Sequence, residues 1–305
     1  MLNKIAKFAY NVRQIQLNVN FYKEQLEAKE DMLAMTTKFL VDMQQSLEER
    51  NKELSETHKE IFDSVKFAGL IQKSLLPDVN VLKVFLKDVV FRVIQQISIG
   101  GDTVFIKNTN KGVMFGLLDA TGHGIPGAML SIAGSLMLNE LTSSMEIDNP
   151  KILTKLFNYQ LYNTFNRDSY SIGHMEGTIC YFSPMSNKLI YCSAKGKGFH
   201  IPFIGNINPL SNTKNAIGDN SAEEFENFEI NINKGDKIVL YSDGLVDQFG
   251  GESNKKFSRE RLRKLLIENR DKNVKEMAVI IENESNMWKG SNAQTDDISF
   301  KLVEF

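Results

Sequence analysis

The segment Val113-Met114-Phe115-Gly116-Leu117-Leu118-Asp119-Ala120-Thr121-Gly122-His123-Gly124 joins an apolar run to an aspartate and then to a glycine-rich turn. A short apolar run bounded by such residues predicts a buried strand. The same juxtaposition recurs along the chain. Gly100-Gly101-Asp102 precedes a second strand, Ser242-Asp243-Gly244 follows the apolar run Lys237-Ile238-Val239-Leu240-Tyr241, and Asp296-Asp297 opens Ile298-Ser299-Phe300. Taken singly, each is a turn signal, because aspartate caps nearby backbone and glycine accepts positive φ. Together they put carboxylates at the ends of several strands. Aspartates on converging strand ends would make a cage for a hard cation such as Mg²⁺ or Mn²⁺, which prefers oxygen ligands.

Outward from these segments, the pattern predicts strands near residues 89–97, 102–107, 112–119, 176–183, 187–194, 225–232, 236–242 and 297–303. Helical periodicity appears near 126–143, 150–166, 258–268 and 273–287, the first opening at Pro126, a good first-turn residue. Strand runs with inserted helices predict an α+β fold, an antiparallel β-sandwich flanked by helices.

The N-terminal part differs. Residues 1–68 contain neither proline nor glycine, and Gly69 and Pro77 close that run. Steps of seven from Ile5 meet Val12, Val19, Leu26, Leu33, Leu40, Leu47, Leu54, Ile61, Ala68 and Leu75, an unbroken apolar seam of coiled-coil periodicity. The companion seam, from Phe8 through Ile15, Tyr22, Lys29, Thr36, Met43, Arg50, Thr57 and Ser64 to Ile71, is half polar. Polar seam positions weaken pairing while fixing register, so the rod is either a plain dimerisation stalk or a signal-transmitting one. A helix of about 110 Å, at 1.5 Å per residue, needs a partner to cover its seam. Self-association into a homodimer is the simplest source. The expected division is a coiled-coil signalling helix at 1–76 and a catalytic domain at 77–305.

The bulk numbers exclude several classes. The 305 residues carry 36 basic and 38 acidic side chains, a net charge of −2, so no strong field draws the chain onto nucleic acid or an anionic membrane. No apolar stretch approaches the roughly 20 residues that span a bilayer, and Met1–Tyr10 lacks a signal-peptide pattern. Two cysteines, Cys180 and Cys192, fit neither a zinc site nor a disulfide framework. A cytoplasmic protein is expected.

With those segments in place, residues 70–305 resemble the metal-dependent protein phosphatase (PPM) superfamily, in its bacterial branch of sporulation and stress-regulator phosphatases. The resemblance rests on Ile71-Gln72-Lys73-Ser74-Leu75-Leu76-Pro77, Gly101-Asp102, Asp119 through Gly127, Ser242-Asp243-Gly244, Asp247-Gln248-Phe249-Gly250-Gly251 and Gln294-Thr295-Asp296-Asp297-Ile298. It implies two divalent cations, Mn²⁺ or Mg²⁺. Asp119 would bridge them, with the Ala120 carbonyl on one, Asp243 and Asp296 on the other, Asp102 acting mostly through water, and Asp297 beside the ligand Asp296. Such a pair acidifies a water and neutralises phosphoryl oxygens. His123 is the expected proton donor to the leaving alkoxide. The implied substrate is a phosphoserine or phosphothreonine on a bacterial signalling protein, such as a regulator of an anti-sigma factor.

One departure concerns the phosphate. Some relatives place an arginine shortly before the first aspartate, whereas this chain has Ile97, Ser98 and Ile99, with Arg92 the nearest arginine. Lys195 and Lys197 are alternatives, although their segment, Ser193 to Gly198, has the composition of a solvated hairpin. His58, His174 and His200 are expected on the surface. Two rival functions remain open on sequence. A histidine kinase also combines a coiled helix with an Asp- and Gly-rich domain, but His58 is followed by Lys59 and Glu60 rather than an adjacent acid. A non-catalytic phosphoprotein-binding module is the other, against which stands the presence of every expected aspartate.

Overall fold

The computed structural model describes residues 1–122, 124–166, 173–219 and 224–305. It divides into two units, Met1–Ser64 and Val65–Phe305. The first is wholly helical and belongs to α1 (Leu2–Ser74), the absence of helix breakers having its expected effect. Every residue from 1 to 64 is exposed in the single chain, the heptad seam included. No helix among the described residues is long and apolar enough to cross a membrane.

The last turns of α1 belong to the second unit. The helix runs through Gly69 rather than stopping there, because Gly69 is buried against the Ser98 carbonyl, where a Cβ would collide. Its absent side chain is a close approach and not a terminator. After a 3₁₀ turn (Val79–Val84) come β1 (Asp88–Ile94), β2 (Asp102–Asn108), β3 (Val113–Ala120), α2 (Gly124–Ser144), α3 (Pro150–Phe165), β4 (Met175–Ser183), β5 (Lys188–Ala194), β6 (Lys197–Ile201) and β7 (Asn208–Pro209). The chain closes with β8 (Phe228–Asn231), β9 (Lys237–Tyr241), α4 (Asp243–Asp247), β10 (Phe249–Gly250), β11 (Lys255–Lys256), α5 (Arg259–Glu268), α6 (Val274–Lys289) and β12 (Ile298–Glu304).

Two five-stranded antiparallel sheets form, in the orders β1-β12-β9-β6-β7 and β2-β3-β4-β5-β8. Alternation along each strand sorts the side chains into layers. Val104, Ile106, Phe115, Leu117, Cys180 and Phe182 of one sheet meet Ile238, Leu240 and Val303 of the other in the core between them. The opposite faces are covered by helices: Phe105, Met114 and Leu118 pack under α2 and α3, and Val239, Phe300 and Leu302 under α5 and α6. The expected α+β sandwich with outer helices is what forms. Each predicted strand and helix of that domain has its counterpart, whereas β6, β7, α4, β10 and β11 were not anticipated. Most of these are too short to show a period.

Candidate metal centre

The side-chain alternation that builds the core also builds the site. On β3, Phe115 and Leu117 face the inter-sheet core, so Asp119 continues the same row at the end of the strand. On β2, Val104 and Ile106 face that core, and Asp102 shares their side; on β4, Cys180 and Phe182 do, and so does Glu176. Register then aligns the three acids. Asp102 lies opposite Asp119, and Asp119 opposite Glu176. Like charges directly across an antiparallel pair repel, so this row is unfavourable unless cations balance it.

The second sheet closes the site from the other side. Asp243 begins α4 immediately after β9, and Asp296 and Asp297 immediately precede β12, the partner of β9. Ser242 ties the two together: its amide donates to the Ser299 carbonyl at 3.0 Å, and its Oγ accepts from the Ser299 amide at 2.9 Å. A cavity of about 260 Å³ opens there, lined by Asp119, Ala120, Thr121, Gly122, Glu176, Asp243 and Asp296. Four of the expected residues therefore share one pocket. Asp102 is buried, 3% exposed, on the strand beside Asp119. Asp297 is committed elsewhere: its Oδ1 accepts from the Gln96 amide and its Oδ2 from the Gly101 amide, each at 2.8 Å. It thereby fixes the turn that carries Asp102. His123 lies outside the described residues.

Burial and neighbouring acids leave Asp119 and Asp102 poor anions. Asp119 is pushed up to about 10 by burial first and then by Asp102, Asp243 and Asp296, with Lys197 acting in the other direction. Burial likewise raises Asp102 to about 7, against the hydroxyls of Ser299 and Ser242, which lower it, and with repulsion from Asp297 and Asp296. Asp102 Oδ2 is buried and has no hydrogen-bond partner among the described residues. A buried, unsatisfied carboxylate beside other acids is the environment that a divalent cation relieves. The donor set of carboxylates and the Ala120 carbonyl suits a hard cation, so these residues fit such an ion. Among the described residues, no three acidic, histidine or cysteine side chains are close enough to hold one ion as they stand. Asp243 Oδ2 lies 3.5 Å from Lys197 Nζ.

Sequence reasoning missed Glu176 and the role of Gln72, and it favoured the wrong surroundings for Lys195 and Lys197. Glu176 lies in the pocket and pairs with Lys195 at 3.4 Å and Lys197 at 3.6 Å. Its only signal is its register opposite Asp119, which no single strand reveals. Lys195 and Lys197 are not on a solvated hairpin; both are half-buried against the site. Gln72, on the last turns of α1, is buried, and its Nε2 donates to the Gly100 carbonyl at 2.6 Å. Arg92 is held by Glu282 at 2.8 Å. Of the three histidines expected on the surface, only His58 is exposed. His174 is half-buried, and His200 lies 3.3 Å from the buried Asp236.

The Stage II sporulation protein E (SpoIIE) family model matches residues 109–305. No curated protein sequence matches the chain significantly. Among solved structures, the SiaA-PP2C domain of Pseudomonas aeruginosa superposes with a TM-score of 0.75 at 22% identity, covering 82% of this chain and 98% of that one. The PP2C phosphatase domain of SpoIIE from Bacillus subtilis, solved with a fragment of its regulatory domain, gives 0.57 at 15% identity, covering 72% and 63%. RsbX in complex with magnesium gives 0.53 at 16% identity, covering 71% and 94%. At these identities the likeness establishes the fold. The family match spans about two thirds of the chain, and it makes this protein a member of the SpoIIE family, protein serine/threonine phosphatases of the PPM type that use divalent metal ions.

Proposed function

We propose that the pocket holds two divalent cations, manganese or magnesium, between Asp119 of one sheet and Asp243 and Asp296 of the other. Asp119 would serve both ions, the Ala120 carbonyl one of them, and Asp243 and Asp296 the other. Asp102 would support the first through water, from its buried position beside Asp119. Asp297 acts as a brace for Gly101 rather than as a ligand, because its two oxygens already accept backbone amides. When bound, the cations neutralise phosphoryl oxygens and supply a water of lowered pKa. The leaving serine or threonine alkoxide is strongly basic and needs a proton. His123 has that role by its place four residues after Asp119, between Gly122 and Gly124, which both have positive φ.

The row Asp102–Asp119–Glu176 carries this reading. Three acids aligned across neighbouring strands, one with an unpartnered oxygen, are costly without a cation and useful with one. The test is hydrolysis of a chromogenic aryl phosphate with Mn²⁺ or Mg²⁺ by the native chain and by Asp119→Asn and Asp243→Asn. Metal-dependent turnover lost in both variants is the expected result, and turnover surviving in both would sink the assignment.

The finer reading concerns substrate and control. The substrate is a phosphoserine or phosphothreonine on a bacterial signalling protein, and the resemblance favours a small antagonist of an anti-sigma factor. Two chains pair through the seam of α1 into a homodimer, and changes in that packing reach the site through the last turns of the helix. The support is local: Gln72, in those turns, grips Gly100, two residues from Asp102.

A further inference from the structure

Beside the carboxylate pocket lies a larger cavity, of about 420 Å³, whose polar walls are Lys195, Lys197, Arg259, Ser211, Asn212 and Tyr241. Three cationic side chains and no acidic one are among the described residues that line it. The charges are only partly answered. Among the described residues, Glu176 alone pairs with both lysines, at 3.4 and 3.6 Å, and Lys197 also reaches Asp243. The Arg259 guanidinium sits 5.3 Å from the centre of the Phe199 ring and has no ion pair among the described residues. An arginine fork with hydroxyl and amide neighbours is the chemistry that recognises a carboxylate.

The turn that presents the lysines is held in place. Lys195 has a φ of +52°, a left-handed conformation that side-chain-bearing residues seldom adopt. Its amide donates to the Thr213 carbonyl at 3.1 Å. Gly196 is pressed against Gly177 and Thr178 so closely that a Cβ would clash, and its carbonyl accepts from Asn212 Nδ2 at 3.1 Å. Lys197 lines this cavity and also lies against Asp243 of the carboxylate pocket. A ligand here is therefore a near neighbour of the phosphoryl group being hydrolysed.

We propose that this cavity binds an aspartate or glutamate side chain flanking the phosphorylated residue, so that the enzyme selects phosphoproteins with an acidic residue near the phosphoserine or phosphothreonine. The proposal deepens the phosphatase reading and rests on it. Arg259 and Lys195 supply the charge, and Lys197 couples this subsite to the carboxylate pocket. Successive side chains of an extended substrate are spaced by about 3.3 Å, which brings only the nearest few flanking positions within reach.

The test uses the full chain with Mn²⁺ and three kinds of substrate: an aryl phosphate, a phosphoserine peptide with neutral flanks, and the same peptide with one aspartate moved through each flanking position. At the best position the acidic peptide should exceed the neutral one in kcat/KM by about tenfold, mainly through KM, as a charge-assisted contact supplies. Arg259→Glu should abolish or invert that ratio. Lys195→Asn, which tolerates the left-handed backbone, should reduce it. Anisotropy of a labelled, unphosphorylated acidic peptide should show binding by the native chain that Arg259→Glu removes, and this arm needs no catalysis. An acidic-to-neutral ratio near one at every position, or a preference intact in both variants, or equal binding of acidic and neutral peptides, would overturn the proposal. Failure of the native chain to hydrolyse the aryl phosphate would instead strike the phosphatase reading, leaving the anisotropy to decide the subsite.

Discussion

Gln72 holds the backbone of Gly100 from both sides: its Nε2 donates to the Gly100 carbonyl at 2.6 Å and its Oε1 accepts from the Gly100 amide at 3.2 Å. Ser131 on α2 joins the pair, its Oγ accepting from Gln72 Nε2 at 2.8 Å and donating to the same carbonyl at 3.2 Å. The next residue, Gly101, is anchored by Asp297, and the one after is Asp102. The end of α1 is thus wired to the turn that places a buried carboxylate beside Asp119.

Replacing Gln72 by alanine therefore leaves the buried Gly100 amide without its acceptor, while the carbonyl keeps Ser131 Oγ, a loss of about 1–3 kcal/mol. We expect a lower melting temperature and a rise in the Mn²⁺ concentration needed for half-maximal turnover, with KM for an aryl phosphate little changed. Titrating Mn²⁺ against activity and thermal stability checks this. An unaltered metal requirement would show that Gln72 only packs the helix.

Asp119 supplies a pH signature in the metal-free protein. Burial and neighbouring acids raise its folded pKa from 3.8 to about 10. Above pH 4 the unfolded chain holds fewer protons than the folded one at this position, so the stability associated with Asp119 falls as pH rises towards 10. Asp119→Asn removes that dependence. With chelator present, the variant should melt higher than the native chain by a margin that widens with pH, and added Mn²⁺ should reverse the order. Equal melting curves across the pH range would contradict the raised pKa of Asp119.

How much of this was legible follows from the range of each signal. Asp119 stood out because an apolar run and a glycine turn flank it within a dozen residues, and Asp243 and Asp296 likewise adjoin their own strands. Glu176 did not, since its place in the row comes from pairing β4 with β3, a long-range choice of register. Lys195 and Lys197 looked like surface turn residues because composition carries no information about positive φ or about the pressure of Gly196 on β4. Gly69 misled for a related reason: glycine signals a break only where no neighbouring chain needs the space. The five-residue helix α4, which starts at Asp243, is too short to show a period.

The exposed seam of α1 makes a prediction about assembly. Ile5, Leu26, Leu33, Leu40 and Leu54 are all more than half exposed in the single chain. Covering such a row stabilises by about 25 cal/mol per Å² removed from water, which a second copy would provide. The full chain should sediment as a dimer, and a chain lacking residues 1–64 as a monomer. If that packing also controls the site, Mn²⁺-dependent turnover should change with the truncation. A monomeric full-length chain would refute the pairing, whereas a shift in mass with constant turnover would make the helix a passive stalk.

Lys301 gives the last test. It lies on β12 between Phe300 and Leu302, which face the outer helices, so its own side chain enters the core between the sheets. It is fully buried, its Nζ has no hydrogen-bond partner among the described residues, and that atom stands 5.0 Å from the centre of the Phe115 ring. Burial lowers its pKa from 10.5 to about 7, with Cys180 the one charge partner acting against that fall. Between pH 7 and 10.5 the unfolded chain binds more protons here, so this contribution to stability grows with pH; below pH 7 both states are protonated and the full penalty of a buried ammonium applies. Lys301→Met keeps the length of the side chain and removes the charge. The variant should be more stable by several kcal/mol at pH 7 and below, or roughly 5–10 °C in Tm, and its advantage should shrink towards pH 10.5. Melting curves from pH 6 to 10.5 decide it, and a destabilised variant at every pH would mean that the amine serves the core in a way burial alone does not explain.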